Sequence, residues 1–158
     1  MTESLLPLLE RGGVVHDVEG STPAEAVRGL IARLKLPGRL DGGVLLNAVL
    51  EREDLQPTAA GHGIALPHPR NPVISAVDEQ FIAIGLTKRP LNWQALDGEA
   101  VRTIILVVSS NARHHLRTLS KLNYFCTQQG FLDLLRGRAA KEDVERYVAD
   151  AEKAWENE

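Results

Sequence analysis

Cysteine is nearly absent: Cys126 stands alone in 158 residues, which excludes an internal disulfide framework and a zinc site built on paired thiolates. A buried structural thiol is the role left to it. Aromatic residues make up only 4% of the chain, so a core has to be built from Leu, Val, Ile and Ala. The 44% apolar content supplies them, and the length suits one domain with a sizeable core. There is no block of Lys and Arg, and the net charge is −3; both argue against a nucleic-acid footprint. A basic partner fits better. The opening Met1-Thr2-Glu3-Ser4-Leu5-Leu6-Pro7 has neither a charged leader region nor a long apolar segment, and no later run approaches membrane-spanning length. With no linker, repeat or low-complexity tract in view, the expectation is one cytoplasmic domain over residues 1–158, without direct membrane insertion.

The apolar spacing predicts alternating strands and helices. Val14 to Val18 reads as a short strand. Thr22-Pro23-Ala24-Glu25 then opens a helix, with Thr22 as cap, Pro23 tolerated in the first turn and Glu25 completing a capping box. Ala26, Val27, Leu30, Ile31 and Leu34 follow as one stripe that stops at Pro37-Gly38. Asp41 caps the next helix, which carries Val44, Leu45, Ala48, Val49 and, at its edge, Arg52. Phe81 to Leu86 and Val101 to Val108 are strands by length and β-branched content, the second buried on both faces. Trp93 is expected to pack at the base of the Asn92 to Gly98 connection. Helices are expected from about Ala112 to Thr127, from Phe131 to Leu135 and from Lys141 to Trp155. The sum is an α/β sandwich, a small mixed sheet with helices on both faces.

Chemistry concentrates in Gly61-His62-Gly63-Ile64-Ala65-Leu66-Pro67-His68-Pro69-Arg70. A proline restricts the residue before it to extended conformations, so Pro67 and Pro69 limit how His68 is presented. A neutral imidazole is a nucleophile near pH 7, and its phosphoramidate stays reactive enough to pass a phosphoryl group on. Glycines at 61 and 63 permit close backbone approach, which makes the amides of that turn candidate phosphoryl-oxygen donors. A second constellation, Ser109-Ser110-Asn111-Ala112-Arg113-His114-His115-Leu116, joins a buried strand to a helix start. Ser110 or Asn111 would cap there, leaving His115 near the positive helix end, where an anion is favoured and imidazolium is not. Gly61-x-Gly63 lacks the third glycine of a dinucleotide loop, no P-loop is present, and no nucleophile elbow supports Ser/His/Asp hydrolysis. The histidines at 62, 68, 114 and 115 do not fall into a recognised metal-ligand spacing, so neither metal nor other cofactor is expected.

The Gly-x-Gly-Ile-Ala-Leu-Pro-His string from Gly61 to His68 resembles the active-site signature of phosphotransferase-system enzyme IIA domains of the fructose/mannitol type, which include the nitrogen-regulatory IIA proteins. Leu50-Glu51-Arg52-Glu53 and Thr58 lie at that family's offsets from the histidine, and His115-Leu116-Arg117-Thr118-Leu119 matches its second histidine setting. His62 and Pro69-Arg70 depart from the common pattern. The resemblance implies that His68 accepts a phosphoryl group from the carrier protein HPr, that His115 assists, and that Arg52 supplies a fixed positive charge. Thr58, Gly61, Gly63 and Ser110 would support the site. It further implies a phosphocarrier without a resident cofactor, of the nitrogen-regulatory type with a protein target. A sugar-uptake component serving a IIB domain is the alternative within the family, and a non-catalytic binding module is the alternative outside it.

Overall fold

The computed structural model describes residues 4–156. Its elements run α1 (Leu6–Gly12), β1 (Val14–Val18), α2 (Pro23–Ala32), α3 (Gly42–Leu55), β2 (Ala59–Gly61), β3 (Ile64–Ala65), β4 (Phe81–Leu91), β5 (Val101–Val108), α4 (Ala112–Phe125), α5 (Gln129–Arg136) and α6 (Lys141–Glu156). A 3-10 turn at Val77–Glu79 leads into β4. The five strands form one mixed sheet in the order β1-β4-β5-β3-β2. β1 lies parallel to β4 and β3 parallel to β5, while the β4/β5 and β2/β3 pairs are antiparallel.

Alternation along the central strands explains why both faces carry helices. Phe81 and Ala83 of β4 join Ile104, Leu106 and Val108 of β5 in the core beneath α2 and α3. Ile82, Ile84, Leu86, Ile105 and Val107 point the other way, into the core with α1, α4, α5 and α6. A side-chain period of two sends each neighbour to the opposite face, so a strand apolar at nearly every position needs two covers. β5 is such a strand, buried everywhere except Arg102. The α/β sandwich expected from the sequence is the fold observed.

The elements differ from expectation in their limits. The sequence signals no helix α1: Leu8 and Leu9, with Leu5 at its cap, bury its face in about two turns, too short for a periodic signal. Gly12 is required at its end, because a Cβ there would meet the Ile82 carbonyl oxygen at 1.8 Å. The α2 helix stops at Ala32, so Leu34 packs from the following turn. The Thr22 hydroxyl accepts from Glu25 N–H as a cap should, but the Glu25 carboxylate reaches Ser21 N–H. β4 runs on to Leu91, past the polar Thr87-Lys88-Arg89-Pro90 stretch that reads as a strand end. A register irregularity between Leu86 and Leu91 absorbs Pro90, which has no N–H to give. Cys126 is buried in the second core, and burial pushes its thiol up to about 12. Among the described residues, no helix is long and apolar enough to cross a membrane.

Candidate functional site

His68 and His115 meet at the C-terminal end of β5. The segment after β3 is pinned there by the Val107 N–H, which donates to the Pro67 carbonyl at 3.0 Å. Asn111 caps α4, its side chain accepting from His114 N–H at 2.9 Å, so His115 sits in the first turn. Ser110 does not cap: its N–H and hydroxyl both donate to Gln80 Oε1, at 2.8 and 2.9 Å. The buried Gln80 thereby ties the exit of β5 to the entry of β4 and fixes where α4 begins. The two imidazole rings lie 4.5 Å apart between centroids, tilted by 51°.

The environment sets the chemical state of both rings. His68 is only 9% exposed. Its Nδ1 lies 2.8 Å from the Leu66 carbonyl oxygen. A carbonyl only accepts, so Nδ1 carries the proton. Burial lowers the His68 pKa, the Leu66 hydrogen bond opposes that shift, and the Arg52 guanidinium adds to it. The ring is therefore neutral near pH 7, with the Nε2 lone pair available. His115 is lowered further, to about 4, by burial first and then by His68 and Arg52. These are two uncharged rings beside a permanent cation.

Arg52 leaves the last turn of α3 half-buried, with Nη1 donating to the Gln56 carbonyl at 2.8 Å. No ion pair with Glu51, Glu53 or Asp54 forms among the described residues. Glu53 does something the sequence did not suggest. Its carboxylate accepts from Thr58 N–H at 3.0 Å, from the Thr58 hydroxyl, and from Trp93 Nε1 at 3.1 Å. The Thr58 carbonyl in turn accepts from Leu66 N–H at 3.0 Å, and the Leu66 carbonyl holds His68. Thr58 thus acts through the backbone. Trp93 is buried, as its expected place at the base of the connection requires. Glu53 could not have been found by inspection, since its indole partner lies 40 residues away.

Gly61 and Gly63 lie elsewhere. They flank His62 in the turn between β2 and β3, all three with positive φ, and His62 N–H donates to Asp97 Oδ2 at 2.9 Å. The Gly63 carbonyl accepts from Arg102 and Thr103 N–H, at the start of β5. Thr103 and Val107 are four steps apart along the strand, about 13 Å of rise. Both glycines shape a turn at that end of the sheet, away from the level of Val107.

Beside His115 lies a cavity of about 150 Å3 bounded by Pro69, Arg70, Asn71, Ser109 and Asn111. Its lining offers hydroxyl, amide and guanidinium groups to an anion. Among the described residues, no group of three or more His, Cys, Asp or Glu side chains is placed to hold a metal ion.

Glu53→Gln tests the relay from α3 to His68. An amide has one acceptor oxygen and cannot receive all three donors, so a loss of about 1–3 kcal/mol is expected. Urea unfolding measures it, with an unchanged slope showing that the native state stays compact.

Comparisons with known proteins bear on the family and the fold. The sequence profile of the family described as phosphoenolpyruvate-dependent sugar phosphotransferase system, EIIA 2, matches residues 7–151. The chain is 33% identical over 106 residues to the PTS system 2-O-alpha-mannosyl-D-glycerate-specific EIIABC component of Escherichia coli, covering 66% of this chain. It spans only 16% of that protein's length. It is 28% identical over 130 residues to the nitrogen regulatory protein of Pseudomonas aeruginosa, covering 81% of each. In three dimensions it matches the nitrogen regulatory protein IIA-Ntr of Neisseria meningitidis with a TM-score of 0.71 and 24% identity, over 90% of this chain and 94% of that one. That last likeness concerns the fold. By sequence and by architecture, the chain belongs to the EIIA 2 family of the phosphoenolpyruvate-dependent sugar phosphotransferase system.

Proposed function

We propose that this chain is a phosphocarrier that accepts a phosphoryl group on His68 from an HPr-type protein and serves mainly as a regulatory signal. The observation that carries the reading is the His68 ring: neutral, with its proton held on Nδ1 by Leu66, and 4.5 Å from His115. In the transfer, His68 Nε2 attacks phosphorus, the P–N bond to the donor histidine breaks, and that donor imidazole leaves with the bond's electron pair. Positioning and charge stabilisation account for most of such a step. In this reading Arg52 and His115 meet the phosphoryl oxygens, supported by the 4.5 Å ring separation and the Arg52 charge felt by both rings, and no metal enters the scheme.

The regulatory role draws support from the likeness to nitrogen regulatory proteins. A phosphoryl group adds about −1.5 to −2 charges for an oxygen-linked phosphate, and the phosphohistidine is of the same order. Next to the exposed Leu116, which follows His115 in the chain, that charge reverses a protein contact by desolvation and repulsion without moving the fold. Sugar uptake, with phosphate passing to a IIB domain, is the second reading, supported by the likeness to a sugar-specific EIIABC component.

Two measurements test the proposal. Incubation with phosphoenolpyruvate, enzyme I and HPr should yield acid-labile, base-stable phosphate, and its absence refutes the carrier role. Pull-downs from the native host with both forms should then recover a non-sugar protein partner that discriminates between them. If the state-sensitive partners are only HPr and a sugar-specific IIB protein, transport is the function.

A further inference from the structure

At the pole of the sheet opposite His68, a cavity of about 490 Å3 opens between the β2/β3 turn, the start of β5 and the end of α5. Its volume falls in the range of small-molecule sites, about 300–1,000 Å3. Ile64 and Leu132 give it a buried apolar floor, and Arg102 and Arg136 stand at its walls. Arg102 is the one exposed position of β5, and Arg136 is the last residue of α5. No ion pair ties either guanidinium to a carboxylate among the described residues. Two neighbouring cations of the same pole do have such partners: Lys88 pairs with Glu19 and Arg138 with Asp17.

Two guanidiniums without an ion pair among the described residues, set over an apolar floor, suit an acidic guest. Each presents a planar fork that fits a carboxylate or phosphate with two parallel hydrogen bonds. Glu99 stands on the same lining, so the cavity holds two cations to one anion, which suits a compact ligand and disfavours a polyanion. We propose that this cavity binds a small organic dianion, carrying two carboxylates or a carboxylate and a phosphate, through Arg102 and Arg136.

The site is separate from the phosphoryl chemistry. Arg102 lies five residues along β5 from Val107, about 17 Å of strand, and Val107 is where the His68 segment is pinned. The proposal therefore stands whatever His68 does.

Titration of the isotope-labelled chain, followed by amide chemical shifts, tests it with succinate, phosphoglycolate and inorganic phosphate as probes. Succinate and phosphoglycolate distinguish a paired carboxylate from a mixed carboxylate and phosphate. At least one is expected to shift residues 62–64, 100–103 and 132–136 saturably with Kd at or below about 1 mM. Binding should weaken by about tenfold or more, the loss of roughly 1.4 kcal/mol, in each of Arg102→Ala and Arg136→Ala. Both residues are exposed, so shifts elsewhere should stay unchanged. Weaker or absent binding of both dianions overturns the proposal, as does binding that survives either substitution. Inorganic phosphate binding as tightly as the dianions overturns it too, because the cavity would then hold an adventitious ion only.

Discussion

His68→Ala is expected to take up no stable phosphate from HPr-phosphate, while keeping its secondary structure and a cooperative unfolding transition. The first half of that result follows from the state of the ring. His68 is the imidazole whose proton is fixed on Nδ1 by a backbone carbonyl, leaving Nε2 bare, and whose segment is anchored to β5 at Val107. The second half follows from what the ring touches. Its ring meets the His115 ring and the Leu66 carbonyl at the end of the sheet, and it brings no large apolar side chain to either core. Its removal strands the Leu66 carbonyl, and water reaching that end can satisfy it, so a loss within about 1–3 kcal/mol is expected. Radiolabel from phosphoenolpyruvate, followed through enzyme I and HPr, reads the uptake, and thermal unfolding reads the fold. Normal incorporation in the variant would place the phosphate on another residue and end the His68 assignment.

Much of this molecule was legible because its local signals agree with its packing. Ile104 to Val108 reads as a doubly covered strand, and helices do cover both of its faces. Thr22-Pro23 and Asp41 start helices where capping chemistry places them. The histidine loop stood out because two prolines are a local constraint, visible without any knowledge of neighbours. What escaped was long-range or too short to repeat. Glu53 looked like one of several acids beside Arg52, and its work depends on Thr58 and on an indole that only folding brings close. Gln80 sits before a strand with no pattern around it, yet it receives both donors of Ser110. Gly61 and Gly63 share one string with His68. They are close in sequence, yet the extended strand between them sets the glycines and the histidine at different levels of the sheet. An α-helical turn at the same place would have kept them together.

His115→Ala is expected to retain phosphate on His68 but to slow its transfer by roughly ten- to a thousandfold, the range for loss of a positioned polar group. The reasoning turns on how its protonation responds to phosphorylation. In the free protein burial, His68 and Arg52 hold His115 at about 4, so it is uncharged at neutral pH. Because the unfolded chain titrates near 6.5, it binds more protons than the native state between those two values. Native stability therefore falls as pH drops through that window, and His115→Gln should flatten the slope. A phosphoryl dianion on the adjacent ring inverts the balance. An anion a few ångströms away favours imidazolium, which raises the His115 pKa and lets the ring donate to a phosphoryl oxygen while Arg52 contributes charge. Phosphorylation should then be accompanied by proton uptake, seen as an upward shift in the His115 imidazole titration by NMR and lost in His115→Gln. An unchanged His115 titration on phosphorylation, together with wild-type transfer rates in His115→Ala, would reduce the second histidine to a packing residue and leave Arg52 as the positive group at the transferring phosphate.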